Sequence, residues 1–196
     1  MSKVGIFGGA FDPIHSGHVE MAVLAKKELK LSEMLIIPTA NPPFGKKCSA
    51  PFSDRAEMAG LAFEGIDGFA VSDIEKKISG KSYTINTLRA LKEIYPQGTD
   101  FWLIIGGDQL FEIERWFRYE AILKECHVAA VTRDGVSYAD MQEYANELGR
   151  VRVLNLPIPA VSSTEVREKL LNGESTAGLI PDAVAKYIGD RGLYRG

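Results

Sequence analysis

Short runs that are apolar at nearly every position alternate along this chain with longer stretches whose apolar residues recur every three or four positions. The first kind predicts strands at Lys3–Phe7, Met34–Pro38, Phe69–Ser72, Phe101–Ile105, His127–Thr132 and Arg150–Leu154. Leu103-Ile104-Ile105 has no polar position at all. A strand of that kind is buried on both faces, which points to a parallel sheet covered by helices. The second kind predicts helices at His18–Lys30, Asp54–Glu64, Thr84–Tyr95, Tyr119–Glu125 and Ala139–Leu148, then Ser163–Asn172 and Asp182–Asp190 toward the C-terminus. Leu88, Leu91 and Tyr95 share one face of the third helix, and Pro96 ends it. The alternation of strand and helix predicts an α/β, doubly wound parallel sheet formed by one domain over residues 1–196. Ligands of such folds bind in the loops beyond the carboxyl ends of the strands. Thr39–Phe52, rich in Pro and Gly with two lysines, reads as a binding loop or as a plain surface connection.

Composition narrows the class. Hydrophobic residues make up 45% and charged residues 25% of 196 positions, an ordinary globular balance. The formal net charge is −3, from 23 basic and 26 acidic residues. A protein built to grip a nucleic-acid backbone carries a basic excess, so no nucleic-acid partner is expected. Cys48 and Cys126 form no CxxC pair, which argues against a disulfide framework and for a reducing compartment. No apolar run approaches the ~20 residues of a membrane span. These features predict a cytoplasmic protein with no membrane partner. A homo-oligomer stays open.

The loop after the first strand carries the most chemistry. Gly5-Ile6-Phe7-Gly8-Gly9-Ala10-Phe11-Asp12-Pro13-Ile14-His15-Ser16-Gly17-His18 runs from a strand through adjacent glycines into a helix. Glycines let a ligand approach the backbone, and a helix N-terminus attracts anions. The spacing is not GxGxxG, which disfavours a dinucleotide-dependent oxidoreductase. Gly80-Lys81-Ser82 ends like a P-loop, but Glu75 stands where its first glycine belongs. For His15 and His18 three readings compete: structural histidines, metal ligands with Asp12, or paired donors to phosphate. The adjacent glycines and the helix start favour the third.

GGAFDPIHSGH closely resembles the (H/T)xGH signature of the nucleotidylyltransferase superfamily, in the version found in nicotinate- and nicotinamide-mononucleotide adenylyltransferases. Ser162-Ser163-Thr164-Glu165-Val166-Arg167 resembles the second signature, SSTxxR. Ser162 with Glu165 also fits a capping box, so a helix should start there. Three further segments resemble the bacterial nicotinate-nucleotide adenylyltransferases: Ser82-Tyr83-Thr84, Gly106-Gly107-Asp108 followed by Trp116, and Arg133 after the fifth strand. One departure stands out. Where the family often has Pro-Pro-His-Lys, this chain has Pro42-Pro43-Phe44-Gly45-Lys46-Lys47.

The resemblance implies a Rossmann-like nucleotidylyltransferase fold with C-terminal helices. It implies transfer of AMP from ATP to nicotinate mononucleotide, with release of pyrophosphate, in NAD biosynthesis. It implies catalytic roles for His15, His18 and Arg167. ATP would lie against Gly8, Gly9, Phe11, His15, His18, Gly106, Asp108, Ser163, Thr164 and Arg167, and the acceptor against Tyr83, Thr84, Trp116, Arg133 and Lys46. Thr84 as an N-cap would leave helix N–H groups to a carboxylate. Mg²⁺ would travel with the substrate phosphates, with no dedicated metal ligands and Asp12 at most in an outer contact. The same transfer to nicotinamide mononucleotide or another phosphate acceptor, and a non-catalytic nucleotide-binding module, are the alternatives.

Overall fold

A computed structural model describes residues 2–43, 47–132 and 135–195. Its six strands are β1 (Lys3–Gly9), β2 (Glu33–Pro38), β3 (Phe69–Val71), β4 (Asp100–Gly106), β5 (His127–Val131) and β6 (Val151–Leu154). They form one sheet in the order β3-β2-β1-β4-β5-β6, with every pairing parallel. The order runs outward in both directions from β1 and β4, so the crevice between these two strands is the topological switch point.

The register shows how that crevice opens. β1 stays paired with β2 as far as Gly9 opposite Pro38. Its pairing with β4 stops at Ile6 opposite Leu103. Beyond that point the two strands diverge, and Gly8 is exposed although it lies within a central strand.

Helices cover both faces. α1 (Ser16–Leu29), α2 (Phe52–Ala62), α8 (Ser163–Leu171) and α9 (Asp182–Arg191) pack on one side, around Phe7, Ile36 and Ile104. α4 (Thr84–Ile94), α6 (Tyr119–Glu125) and α7 (Tyr138–Leu148) pack on the other, around Val4, Ile6, Leu35, Leu103 and Ile105. Ile104 therefore faces one layer while Leu103 and Ile105 face the other, which explains why this stretch has no polar position. The predicted strands and long helices are all present within two residues. Two single-turn helices were not foreseen, α3 (Ile74–Lys77) and α5 (Gly107–Leu110), nor was the 3-10 turn Ile113–Arg115. Both cysteines are free. Among the described residues, no helix is long and apolar enough to cross a membrane.

Candidate active site

The N-terminus of α1 organises the phosphate side. His15 is its N-cap, with extended backbone, and His18 is its third residue. Each ring accepts through Nδ1 from the other's backbone N–H, His18 Nδ1 from His15 at 3.3 Å and His15 Nδ1 from His18 at 3.4 Å. The rings stack with centroids 3.6 Å apart. An imidazole that accepts at Nδ1 carries its neutral-state proton on Nε2. His15 is buried and His18 half-buried. Gly17 lies between them because a Cβ there would sit 3.0 Å from the Pro159 carbonyl and 3.2 Å from the His15 ring.

α8 starts over the same loop. Ser162 caps it by accepting from the Glu165 N–H at 3.1 Å, the serine half of the predicted capping box. Ser163 Oγ donates to the Pro13 carbonyl at 2.9 Å. Arg167 donates to the Asp12 carbonyl at 2.7 Å and to Thr164 Oγ1 at 3.2 Å. The two sequence motifs, some 150 residues apart, thus meet directly. The Ser163 hydroxyl is spent on the protein, which leaves phosphate contact there to the backbone N–H groups of the first turn.

Two expectations need correction. Phe11 is not a surface for ATP: its side chain is 1% exposed. Its backbone is left-handed (φ 48°), which turns the ring inward against Phe7 and edge-on to His18 at 5.1 Å. Gly9 is needed to admit it, since a Cβ would stand 2.8 Å from that ring. Thr84 is not the N-cap of α4. That position belongs to Tyr83, whose side chain makes no capping bond, and Thr84 is the first helical residue. Its N–H is still without an intrahelical acceptor, as for any first-turn residue.

A cavity of about 280 Å³ lies in the crevice. Gly8, Gly9 and Ile105 form its floor, and Tyr83, Thr84, Trp116 and Phe117 stand in its wall. Tyr83 and Phe117 rings pack 4.5 Å apart, and Phe117 is an aromatic member that no motif signalled. Among the described residues its lining holds no Lys or Arg. Glu75 does line it, but both oxygens are engaged, one by the Ala40 N–H at 3.1 Å and one by the Thr87 hydroxyl at 3.0 Å. Glu75 thereby ties the loop after β2 to the first turns of α4.

Asp108 is exposed and lies instead in a second hollow, of about 350 Å³, with Ile158, Pro159, Ser162 and Glu165. Gly106 accompanies it at the end of β4, where its N–H donates to Gln109 Oε1 at 3.2 Å. A larger open hollow of about 540 Å³ runs along edge strand β3 and is lined by no residue of either motif. Lys46 and Arg133 lie outside the described residues.

Two buried charges support the loops. Arg55, 2% exposed, donates to the carbonyls of Ala10 at 2.6 Å, Thr39 at 2.9 Å and Ala50 at 3.2 Å. It pins the loops after β1 and β2 with one guanidinium. In the sequence it reads as an ordinary helix residue. Asp12, 6% exposed, accepts from the N–H groups of Ser49 and Ala50 and from the Tyr194 hydroxyl. These three donors hold its carboxylate inside the protein. No cluster of three His, Cys, Asp or Glu side chains suited to a metal exists among the described residues.

Comparison with known proteins agrees with this layout. The cytidylyltransferase-like family model matches residues 6–169. A Dehalococcoides mccartyi protein named "Probable nicotinate-nucleotide adenylyltransferase" is 42% identical over 98% of this chain and 97% of its own length. A Thermotoga maritima protein of the same name is 38% identical over 95% of this chain and 91% of its own. In three dimensions, the Plasmodium falciparum nicotinic acid mononucleotide adenylyltransferase complexed with NaAD superposes with a TM-score of 0.84 at 20% identity, covering 99% of this chain and 98% of that one. The likeness spans both signature loops, both helical layers and the crevice between β1 and β4: this chain belongs to the cytidylyltransferase-like family, and its full-length relatives carry the nicotinate-nucleotide adenylyltransferase name.

Proposed function

We infer that this protein transfers the adenylyl group of ATP to nicotinate mononucleotide, giving nicotinate adenine dinucleotide and pyrophosphate. The observation that carries the reading is the meeting of two helix N-termini, the His15–His18 pair and Arg167 at the loop beside an aromatic-walled cavity. The names of the full-length relatives support the choice of acceptor.

The attacking group is a phosphate oxygen of the mononucleotide. It forms a bond to the α-phosphorus while the bridge to the β-phosphate breaks and its electrons leave with pyrophosphate. That phosphate is ionised at neutral pH, so no proton has to be removed and no protein nucleophile is required. The protein's task is to position two anions against their mutual repulsion and to neutralise charge on the leaving group. His15 and His18 would donate to phosphate oxygens from the start of α1, and Arg167 offers the N–H groups it does not give to Asp12 and Thr164. The first turns of α1 and α8 add partial positive charge. Trp116, Tyr83 and Phe117 suit a flat pyridine ring. The first-turn N–H of Thr84 suits its carboxylate. Lys46 and Arg133 enter as basic groups for the acceptor by sequence alone. Mg²⁺ carried by the triphosphate would shield charge on the departing oxygens.

The test is to identify the product. ATP and nicotinate mononucleotide should yield nicotinate adenine dinucleotide and equimolar pyrophosphate. His18→Ala should lower kcat by about 10²-fold, the scale for removing one preorganised donor. A variant with near-normal kcat removes His18 from the mechanism. A chain that binds ATP and releases no pyrophosphate is a binding module instead.

A further inference from the structure

The C-terminal turn reaches back into the phosphate loop. α9 ends at Gly192 in left-handed backbone, and the Leu193 N–H returns to the Ile188 carbonyl at 3.1 Å. The chain then reverses, and Tyr194 follows with φ at 60°. A side-chain-bearing residue in that region is strained, and such strain persists only where surrounding contacts hold it. Packing of the ring against the core and Asp12 hold it here: the Tyr194 hydroxyl donates to Oδ1 at 2.8 Å. Burial, with Asp12 alongside, pushes the phenol far above its ordinary pKa, so it remains a donor at any physiological pH.

Asp12 is the junction of four segments. It lies three residues before His15. Oδ2 accepts from the Ser49 N–H and Oδ1 from the Ala50 N–H, which anchors the far end of the loop after β2. Its carbonyl accepts from Arg167 in α8. A buried carboxylate is tolerated only while donors surround it, and Tyr194 is the one side-chain donor among the three to these oxygens.

α9 itself offers a matched tyrosine–aspartate pair that involves no residue of the phosphate loop. Tyr187 donates to Asp54 Oδ1, also at 2.8 Å, and Arg191 joins at 3.2 Å. Asp54 is in α2 and is 3% exposed. This bond fixes α9 to α2 and touches no residue of the phosphate loop. α9 is therefore already anchored, and the Tyr194 bond is additional to that anchoring.

We propose that Tyr194 is a positioning residue for adenylyl transfer: through the Asp12 carboxylate it fixes the backbone that carries His15 and accepts Arg167. This rests on the adenylyl-transfer reading above. The test compares Tyr194→Phe with Tyr187→Phe in the full chain, each losing one tyrosine–aspartate hydrogen bond and nothing else. Thermal stability should fall by similar amounts in the two. Tyr194→Phe should lower kcat about tenfold, with the acceptor KM little changed, because small misplacement of reacting groups costs rate. Tyr187→Phe should keep the rate of the unaltered protein. Equal kcat in the two variants overturns the assignment. If the unaltered protein releases no pyrophosphate, the functional reading fails separately, and calorimetric titration with ATP decides the positioning role. Affinity at least about fivefold weaker in Tyr194→Phe than in Tyr187→Phe then supports it, since bonds to charged groups are the stronger ones. Equal affinities overturn it.

Discussion

Three glycines of the first motif have three different reasons to be glycine, and substituting alanine at each should separate them. At Gly9 an added Cβ would lie 2.8 Å from the Phe11 ring, and at Gly17 it would lie 3.0 Å from the Pro159 carbonyl. Those two variants should lose stability, because close-packed neighbours must shift. At Gly8 the nearest atom to a new Cβ is the Ile37 carbonyl oxygen at 3.9 Å, an ordinary contact, and the backbone is not left-handed. The fold therefore has room for alanine there. Replacing a strand glycine with alanine contributes roughly 0.5–1 kcal/mol. For a chain of this size that raises Tm by about 1–4 °C. Gly8 sits on the same strand face as Ile6, and both line the cavity. The new methyl group would occupy the cavity floor where the reacting phosphates must approach. A displacement on the 1 Å scale costs about 10²-fold in rate. Gly8→Ala should thus unfold at or above the Tm of the unaltered protein while kcat/KM for pyrophosphate release falls about a hundredfold. Calorimetry and a coupled pyrophosphate assay on the same preparation measure both. A Gly8→Ala enzyme with normal kcat/KM would show that the phosphates do not pass over this strand end. A variant that loses activity and stability together would show that the open space is not there.

Arg55→Leu should cost at least about 3 kcal/mol in urea unfolding, since it leaves three carbonyls without their donor at roughly 1–3 kcal/mol each when buried; a loss under about 1 kcal/mol would mean that water replaces the guanidinium. The two thiols should differ sharply toward a thiol reagent. Burial pushes the Cys126 thiol up to about 12, while Cys48 is half-buried, so one thiol should react in the native protein and two after denaturation. Rapid reaction of both in the native state would contradict the closed packing around Cys126.

Much of the layout was legible because parallel sheets write themselves plainly. Strands buried on both faces are apolar without interruption, and Leu103 to Ile105 mark the interior of the sheet by composition alone. The signature loops were legible because their residue types are chemically unusual together. What was missed has two causes. α3 and α5 are single turns, too short for helical periodicity to show. The supports of the site act across the chain: Arg55 reads as one more polar position in a helix, and Asp12 reads as motif chemistry although its partners are 37 to 182 residues away. Phe11 and Thr84 misled for local reasons. A left-handed backbone turned the Phe11 ring inward, and the extended backbone of Tyr83 moved the cap one residue earlier than side-chain preference indicated. Phe117, beside Trp116, carried no signal beyond being aromatic, and its place in the wall comes from the cavity lining and the ring contact with Tyr83.

The central claim is adenylyl transfer to an acceptor whose carboxylate is read at the aromatic-walled cavity. The most direct measurement is kcat/KM for pyrophosphate release with ATP and Mg²⁺, comparing nicotinate mononucleotide with nicotinamide mononucleotide. The account predicts a preference for the acid of at least about tenfold, the discrimination expected when a site's polar groups are matched to one substrate and left unpaired by the other. Equal or reversed values would contradict the role given to Tyr83, Thr84 and Trp116, and no release with either would contradict the transfer itself.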